Sequence, residues 1–321
     1  MNEFHPGKVW CDTSGNPIQA HGGGLLWNGD KYYWYGEHRG TSTVATADKP
    51  DGRTETIGVS CYSSDNLLDW FFEGIALTPK PHDPDSDLYI GNELERPKVI
   101  YNMSTGQFVM WFHIDKARNG RYVYARTGVA TASSATGPFT FIRSFRPNGC
   151  ESRDMTVFQD DDGSAYLVYS SEDNSTTHIS KLFEDYLSVQ DEYTRVFPGR
   201  YREAPAVCKH EGRYYLLTSG CTGWNPNEAE YAVADHPLGE WKVMGNPCTG
   251  TSEPIMTTFD SQSTFIAAVP GRQGCFVYLG DRWNNKDLAD SRYVWLPLTI
   301  KADAMTLTWF DTWNFDVFDE R

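Results

Sequence analysis

Asn28-Gly29-Asp30-Lys31-Tyr32-Tyr33-Trp34-Tyr35-Gly36 is the stretch from which the fold can be read. A Gly inside a polar turn supplies a positive φ at no steric cost, and the aromatic run after it suits a pleated strand. The segment therefore reads as a tight turn feeding a β-strand. The same phrase returns four times. Thr105-Gly106 leads into Gln107-Phe108-Val109-Met110-Trp111-Phe112, and Asp162-Gly163 into Ser164-Ala165-Tyr166-Leu167-Val168-Tyr169. Glu211-Gly212 precedes Arg213-Tyr214-Tyr215-Leu216-Leu217, and Gln273-Gly274 precedes Cys275-Phe276-Val277-Tyr278-Leu279.

Outward from each turn, further strands complete a unit. An apolar strand comes before the turn, as in Pro97-Lys98-Val99-Ile100-Tyr101 and Met155-Thr156-Val157-Phe158. A third strand follows and ends in small polar residues, as in Gly58-Val59-Ser60-Cys61-Tyr62-Ser63, Gly128-Val129-Ala130-Thr131-Ala132-Ser133 and Tyr231-Ala232-Val233-Ala234-Asp235. The turn glycines recur at intervals of 49 to 77 residues, so loops vary while the unit persists. Units of about four strands repeated in this way specify a β-propeller. Capped segments with helical periodicity are largely missing. The expected fold is all-β: a single five-bladed β-propeller over residues 1–321 with a central active-site funnel. The tail Met305-Thr306-Leu307-Thr308-Trp309 supplies a last strand, and the N-terminal strands are expected to complete the same blade and close the ring.

Composition excludes several classes. With 28 basic and 43 acidic side chains the formal net charge is −15, so a nucleic-acid partner is not expected, nor is an anionic membrane surface. No apolar run approaches the roughly 20 residues that span a bilayer. The N-terminus shows no basic, apolar leader, which implies a cytoplasmic protein unless an export signal has been removed. The seven cysteines are scattered and never form Cys-x-x-Cys, so neither a disulfide framework nor a zinc site is expected. The chain is expected to act as a monomer.

Propeller strands nearest the axis point their first residues into a shared funnel, so polar residues at those strand openings are the functional candidates. Five openings stand out: Gln19-Ala20-His21-Gly22-Gly23-Gly24, Glu95-Arg96-Pro97-Lys98, Ser152-Arg153-Asp154-Met155, Arg202-Glu203-Ala204-Pro205 and Ser261-Gln262-Ser263. Crowded acids push each other's pKa values apart, leaving one protonated beside ionised neighbours. Trp34, Tyr122, Trp224 and Trp283 offer apolar faces to sugar rings. An acidic, aromatic funnel reads as a site for neutral carbohydrate.

These motifs, in this order from about Gly7 to Trp295, resemble glycoside hydrolase family 43. With Tyr33-Trp34-Tyr35-Gly36-Glu37 and Thr222-Gly223-Trp224-Asn225-Pro226-Asn227 they resemble more narrowly its exo-β-1,3-galactanase branch. The resemblance implies an inverting, exo-acting hydrolase that releases galactose from β-1,3-galactan, the backbone of arabinogalactan and its oligosaccharides. It implies Glu203 as general acid and Asp154 as the residue that tunes and orients it. The general-base Asp found at the first opening in most of the family is missing here, as in the branch. Water then falls to Gln262, to Glu95, or to both, and the sequence leaves these open. Glu37, Tyr122, Thr222, Trp224 and His21 are implied or candidate substrate contacts. Glu37 reads equally as a surface carboxylate, Thr222 as a turn hydroxyl and His21 as a packing histidine. His82-Asp83-Pro84 superficially resembles the missing motif but reads as surface loop. No cofactor is required, although a structural calcium on the propeller axis is conceivable for the family. The alternatives are an α-L-arabinofuranosidase or β-galactofuranosidase on the same fold, or a non-catalytic carbohydrate-binding propeller.

Overall fold

A computed structural model of the chain describes residues 2–40, 56–116, 122–250 and 255–319. Five sheets, each built on four antiparallel strands, follow one another along the sequence. Blade I contains β1 (His21–Trp27), β2 (Tyr32–Arg39), β3 (Thr56–Ser64) and β4 (Phe71–Leu77). Blade II contains β5 (Glu93–Asn102), β6 (Gln107–Asp115), β7 (Arg126–Ala132) and β8 (Thr140–Phe145). Blade III runs through β9 (Met155–Gln159), β10 (Ala165–Ser171), β11 (Thr176–Leu182) and β12 (Val189–Val196). Blade IV holds β13 (Arg202–His210), β14 (Arg213–Gly220), β15 (Glu230–Ala234) and β16 (Lys242–Gly245). After the short β17 (Cys248–Thr249), blade V is built from β18 (Gln262–Ala268), β19 (Cys275–Arg282), β20 (Arg292–Lys301) and β21 (Ala304–Thr308). The protein is an all-β, five-bladed β-propeller. Each of the five turn glycines, Gly29, Gly106, Gly163, Gly212 and Gly274, joins the first two strands of its blade at positive φ.

Closure of the ring differs from the expectation. The last sheet is finished by β17, which pairs in parallel with β21, and among the described residues no N-terminal strand joins it. Pro6, Gly7, Gly15 and Pro17 interrupt the N-terminal segment, which makes isolated bridges, Phe4 opposite Trp313 and Cys11 opposite Pro17, and donates the Gly7 N–H to the Tyr293 carbonyl of blade V at 2.7 Å. Its apolar side chains fill the seam instead. Phe4 stacks on Trp313 at 4.2 Å, and Trp34 of blade I meets Trp295 of blade V at 4.7 Å and Trp70 at 5.3 Å. Aromatic packing thus does the work that a shared strand would otherwise do. Trp34 is 1% exposed in this core, so the expectation that it lines the funnel is corrected.

Close backbone approach explains one glycine of β2. A Cβ on Gly36 would lie 2.1 Å from the Ala20 carbonyl carbon, where the chain enters β1. Gly36→Ala is expected to lower the unfolding free energy by about 3 kcal/mol, the upper range for overpacking a tight core. Urea titration measures this directly, and an unchanged midpoint would show that the Ala20 segment can shift.

Candidate active site

Three blades begin with the same local device. The strand ladder slips between His21 and Gly24 in β1, between Glu95 and Lys98 in β5, and between Glu203 and Ala206 in β13. The second residue of each bulge is left-handed: Gly22 at φ 59°, Arg96 at 56° and Ala204 at 53°. The third is Gly23, Pro97 or Pro205. A proline has no N–H for the ladder, so within a strand it belongs at a bulge, and the bulge re-aims the side chains beside it. In β5 this turns both Glu95 and Arg96 onto one cavity wall, against the usual alternation.

The cavity has a volume of about 270 Å³, and Glu95, Arg96, Asp154, Glu203 and Gln262 all line it. Four of these were expected from the strand openings. Arg96 was not, and it is the hub. Its Nη2 donates to Gln262 Oε1 at 2.6 Å and pairs with Asp154 Oδ2 at 2.9 Å, while its Nη1 donates to the Ser263 carbonyl at 3.0 Å. Asp154 Oδ2 also accepts the Ala204 N–H at 3.1 Å, tying blade III to the residue after Glu203.

Gln262 is saturated. Its oxygen accepts from Arg96 and from Trp283 Nε1 at 2.9 Å, two groups that can only donate. Its nitrogen must therefore face the other way, and it donates to Glu203 Oε1 at 2.9 Å and Ser219 Oγ at 3.0 Å. Desolvation, reinforced by the Asp154 charge, pushes the Glu203 carboxyl up to about 8 against the opposing pull of Arg96. Glu203 is thus a protonated acid at neutral pH, with one oxygen committed to Gln262.

The remaining candidates divide. Tyr122, Trp224, Trp283 and Glu37 line the cavity. Trp224 and Trp283 meet edge to face at 5.4 Å, and the Tyr122 hydroxyl donates to Glu95 Oε1 at 3.4 Å. Glu37 is buried, paired with Arg39, and accepts the Arg96 N–H at 3.0 Å; desolvation raises its pKa against the Arg39 charge. Thr222 is corrected: it does not line the cavity, and its hydroxyl donates to the Asn225 carbonyl at 2.5 Å and accepts from Asn227 at 2.7 Å within its own turn. Its neighbours Gly223 and Trp224 reach the cavity instead. His21 is also corrected. It lies fully buried, stacked on Tyr293 at 5.1 Å with Nδ1 at 3.3 Å from Asp281, and does not line the cavity. The His82-Asp83-Pro84 segment is an exposed loop, as expected.

A calcium ion on the axis does not fit these residues. Lys98 of β5 reaches across to the Gly22 carbonyl at 2.8 Å and the Arg96 carbonyl at 3.3 Å, taking the oxygens a cation would seek. The Arg96 guanidinium lies beside it, and among the described residues no three His, Cys, Asp or Glu side chains converge as a metal site. Burial, with the Arg96 charge, lowers the Lys98 ammonium to about 7.

Arg39, Arg153, Asn174 and Cys221 complete the lining and were not anticipated. Arg153 stood in a quoted motif, and its Nη2 holds the Tyr122 carbonyl at 2.9 Å. Cys221 follows β14, where nothing in the local pattern separates a lining thiol from a packed one.

The fold recurs in solved structures. A β-1,3-galactosidase of family 43, solved with galactodeoxynojirimycin, superposes with a TM-score of 0.90 at 43% identity, covering 97% of this chain and 100% of that one. An exo-β-1,3-galactanase from Phanerochaete chrysosporium, solved with β-1,3-galactotriose, gives 0.86 at 35% identity over 99% of this chain and 69% of its own. An exo-β-1,3-galactanase from Clostridium thermocellum gives 0.84 at 39% identity, over 97% and 66%. A β-D-galactofuranosidase from Aspergillus niger is 30% identical over 159 residues, which is 44% of this chain and 46% of that relative's length. Residues 25–303, from within β1 to the turn before β21, match the model of glycosyl hydrolases family 43, and the chain belongs to that family.

Proposed function

We propose that the protein is an inverting, exo-acting β-1,3-galactanase that releases galactose from the non-reducing end of β-1,3-galactan or its oligosaccharides. The observation that carries this reading is the pairing of a protonated Glu203 with a saturated Gln262 in an acidic, tryptophan-walled cavity. Glu203 protonates the glycosidic oxygen as its bond to the anomeric carbon breaks. A water attacks the opposite face of that carbon and gives its proton to a base, leaving galactose with inverted configuration. Glu95 fills the role of base. Both amide hydrogens and both lone pairs of Gln262 are already engaged, so its part is to hold the acid rather than to receive a proton.

Incubation with β-1,3-galactobiose tests the reading: galactose is released, whereas an aryl galactofuranoside and an aryl arabinofuranoside are left intact. Release from either furanoside and not from galactobiose would reassign the sugar. Azide separates the two candidates for the base. Glu95→Ala loses about 10³-fold in turnover, within the usual range for a general base, and azide restores it as a galactosyl azide. Gln262→Ala is slowed about tenfold and is not rescued. Rescue confined to Gln262→Ala would move the base to the amide.

A further inference from the structure

Behind Glu95 lies a buried chain of polar groups that the reaction as described leaves unused. His113 of β6 is the direct cross-strand partner of Glu95 in β5, and its Nδ1 is 3.1 Å from Glu95 Oε2. On the other side its Nε2 faces Asp115 Oδ2 at 3.6 Å. The imidazole is wholly buried, and Asp115 is nearly so.

Asp115 is itself immobilised. Its carboxylate accepts the backbone N–H groups of Lys116 at 2.9 Å, Tyr124 at 3.2 Å and Ala125 at 3.0 Å, so it anchors the backbone just beyond Tyr122. Tyr122 lies over the His113 ring at 5.9 Å with the planes 17° apart, and its hydroxyl reaches the other Glu95 oxygen. Both oxygens of Glu95 are thus approached, one by His113 Nδ1 and the other by the Tyr122 hydroxyl.

The groups facing His113 can be named strand by strand. They are Glu95 from β5, Asp115 from its own strand, the Tyr122 ring from the segment before β7, and the neutral Thr127 opposite it in β7. Beyond them, Glu37, Arg39, Arg96, Arg153 and Asp154 share the cavity wall with Glu95. Burial works against a charged imidazole here, but the Asp115 and Glu95 carboxylates on either side of the ring outweigh it and hold His113 at about 9. It is therefore a cation at neutral pH.

We propose that His113, flanked by Asp115, is a positioning residue of the reaction that holds the Glu95 carboxylate aimed into the cavity and keeps it ionised. This rests on the reading of Glu95 as the base. A cation beside Glu95 extends its ionised form to lower pH, and removing that charge moves the acidic limb of activity upward.

The test uses three measurements on the full chain. In the wild-type protein, ¹³C NMR of labelled histidine shows His113 still protonated at pH 8, and Glu95→Gln shifts its titration to lower pH. This readout needs no turnover. His113→Asn keeps a donor where Nδ1 lies but removes the charge: KM for β-1,3-galactobiose changes less than twofold, and the acidic limb of kcat/KM rises by about one pH unit or more. His113→Ala loses donor and charge together, and kcat falls at least tenfold below that of His113→Asn. Should His113→Ala fail to fold, His113→Asn and the NMR titration decide. A neutral His113 at pH 8, or a His113→Asn enzyme with the wild-type pH profile, overturns the proposal. Wild-type protein that carries a charged His113 yet releases no galactose leaves the clamp standing and defeats the galactanase reading instead.

Discussion

Glu203→Gln abolishes release of galactose from β-1,3-galactobiose, with kcat lowered by about 10³-fold or more and binding of the disaccharide retained. General acid catalysis supplies roughly 10²–10⁴ of rate, and the loss is at the upper end when the leaving group is a sugar alkoxide. The substitution keeps the shape of the side chain and the neighbours of Glu203, so a folded, binding-competent protein is expected. The wild-type profile carries the matching signature. A carboxyl raised to about 8 by burial and by Asp154 works only while protonated, so kcat/KM falls as the pH rises through about 8. An active Glu203→Gln enzyme, or a flat profile between pH 6 and 9, would place the proton donor elsewhere.

Arg96→Ala has the largest effect expected on stability, about 4 kcal/mol, in the range for removing one partner of a buried ion pair. The guanidinium bonds Asp154, Gln262 and the Ser263 carbonyl at once, and its own backbone N–H satisfies Glu37. Truncation leaves an uncompensated carboxylate in Asp154 and frees the amide of Gln262 to turn. Glu203 also loses a stabilising cation, so its pKa rises further and the basic limb of activity moves with it. Urea titration and a pH–rate profile on one preparation read both effects. A loss below about 1 kcal/mol would show that water replaces the side chain without cost.

The turns were legible because glycine at positive φ has few substitutes, and all five turn glycines have that conformation. The polar openings were legible because strands that begin at an axis must bring their first residues together. Trp34 was misread for a related reason. Every blade is covered on both faces by its neighbours, so Tyr33, Trp34 and Tyr35 show no apolar–polar alternation to say which ring faces where. Arg96 was hidden by the opposite rule: simple alternation sends it away from Glu95, and only the bulge brings it back. The signal was present in the proline two residues after each acid, Pro97 and Pro205, which an uninterrupted ladder would exclude. His113 carries no such mark. It ends an apolar run, and only the register opposite Glu95 gives it a role.

The bulges also bear on how such a cavity can be altered. Because a kinked strand can present two neighbouring side chains at its mouth, as β5 does with Glu95 and Arg96, an acid and its partner need not come from different sheets, and one position can be varied while the other is left alone. Ala204, at the matching place in β13, contributes only a buried methyl group, with its N–H held by Asp154 and its carbonyl by Ser263, so a larger side chain there has no open cavity to enter. The handle for redesign lies in β5, where both neighbouring side chains reach the cavity.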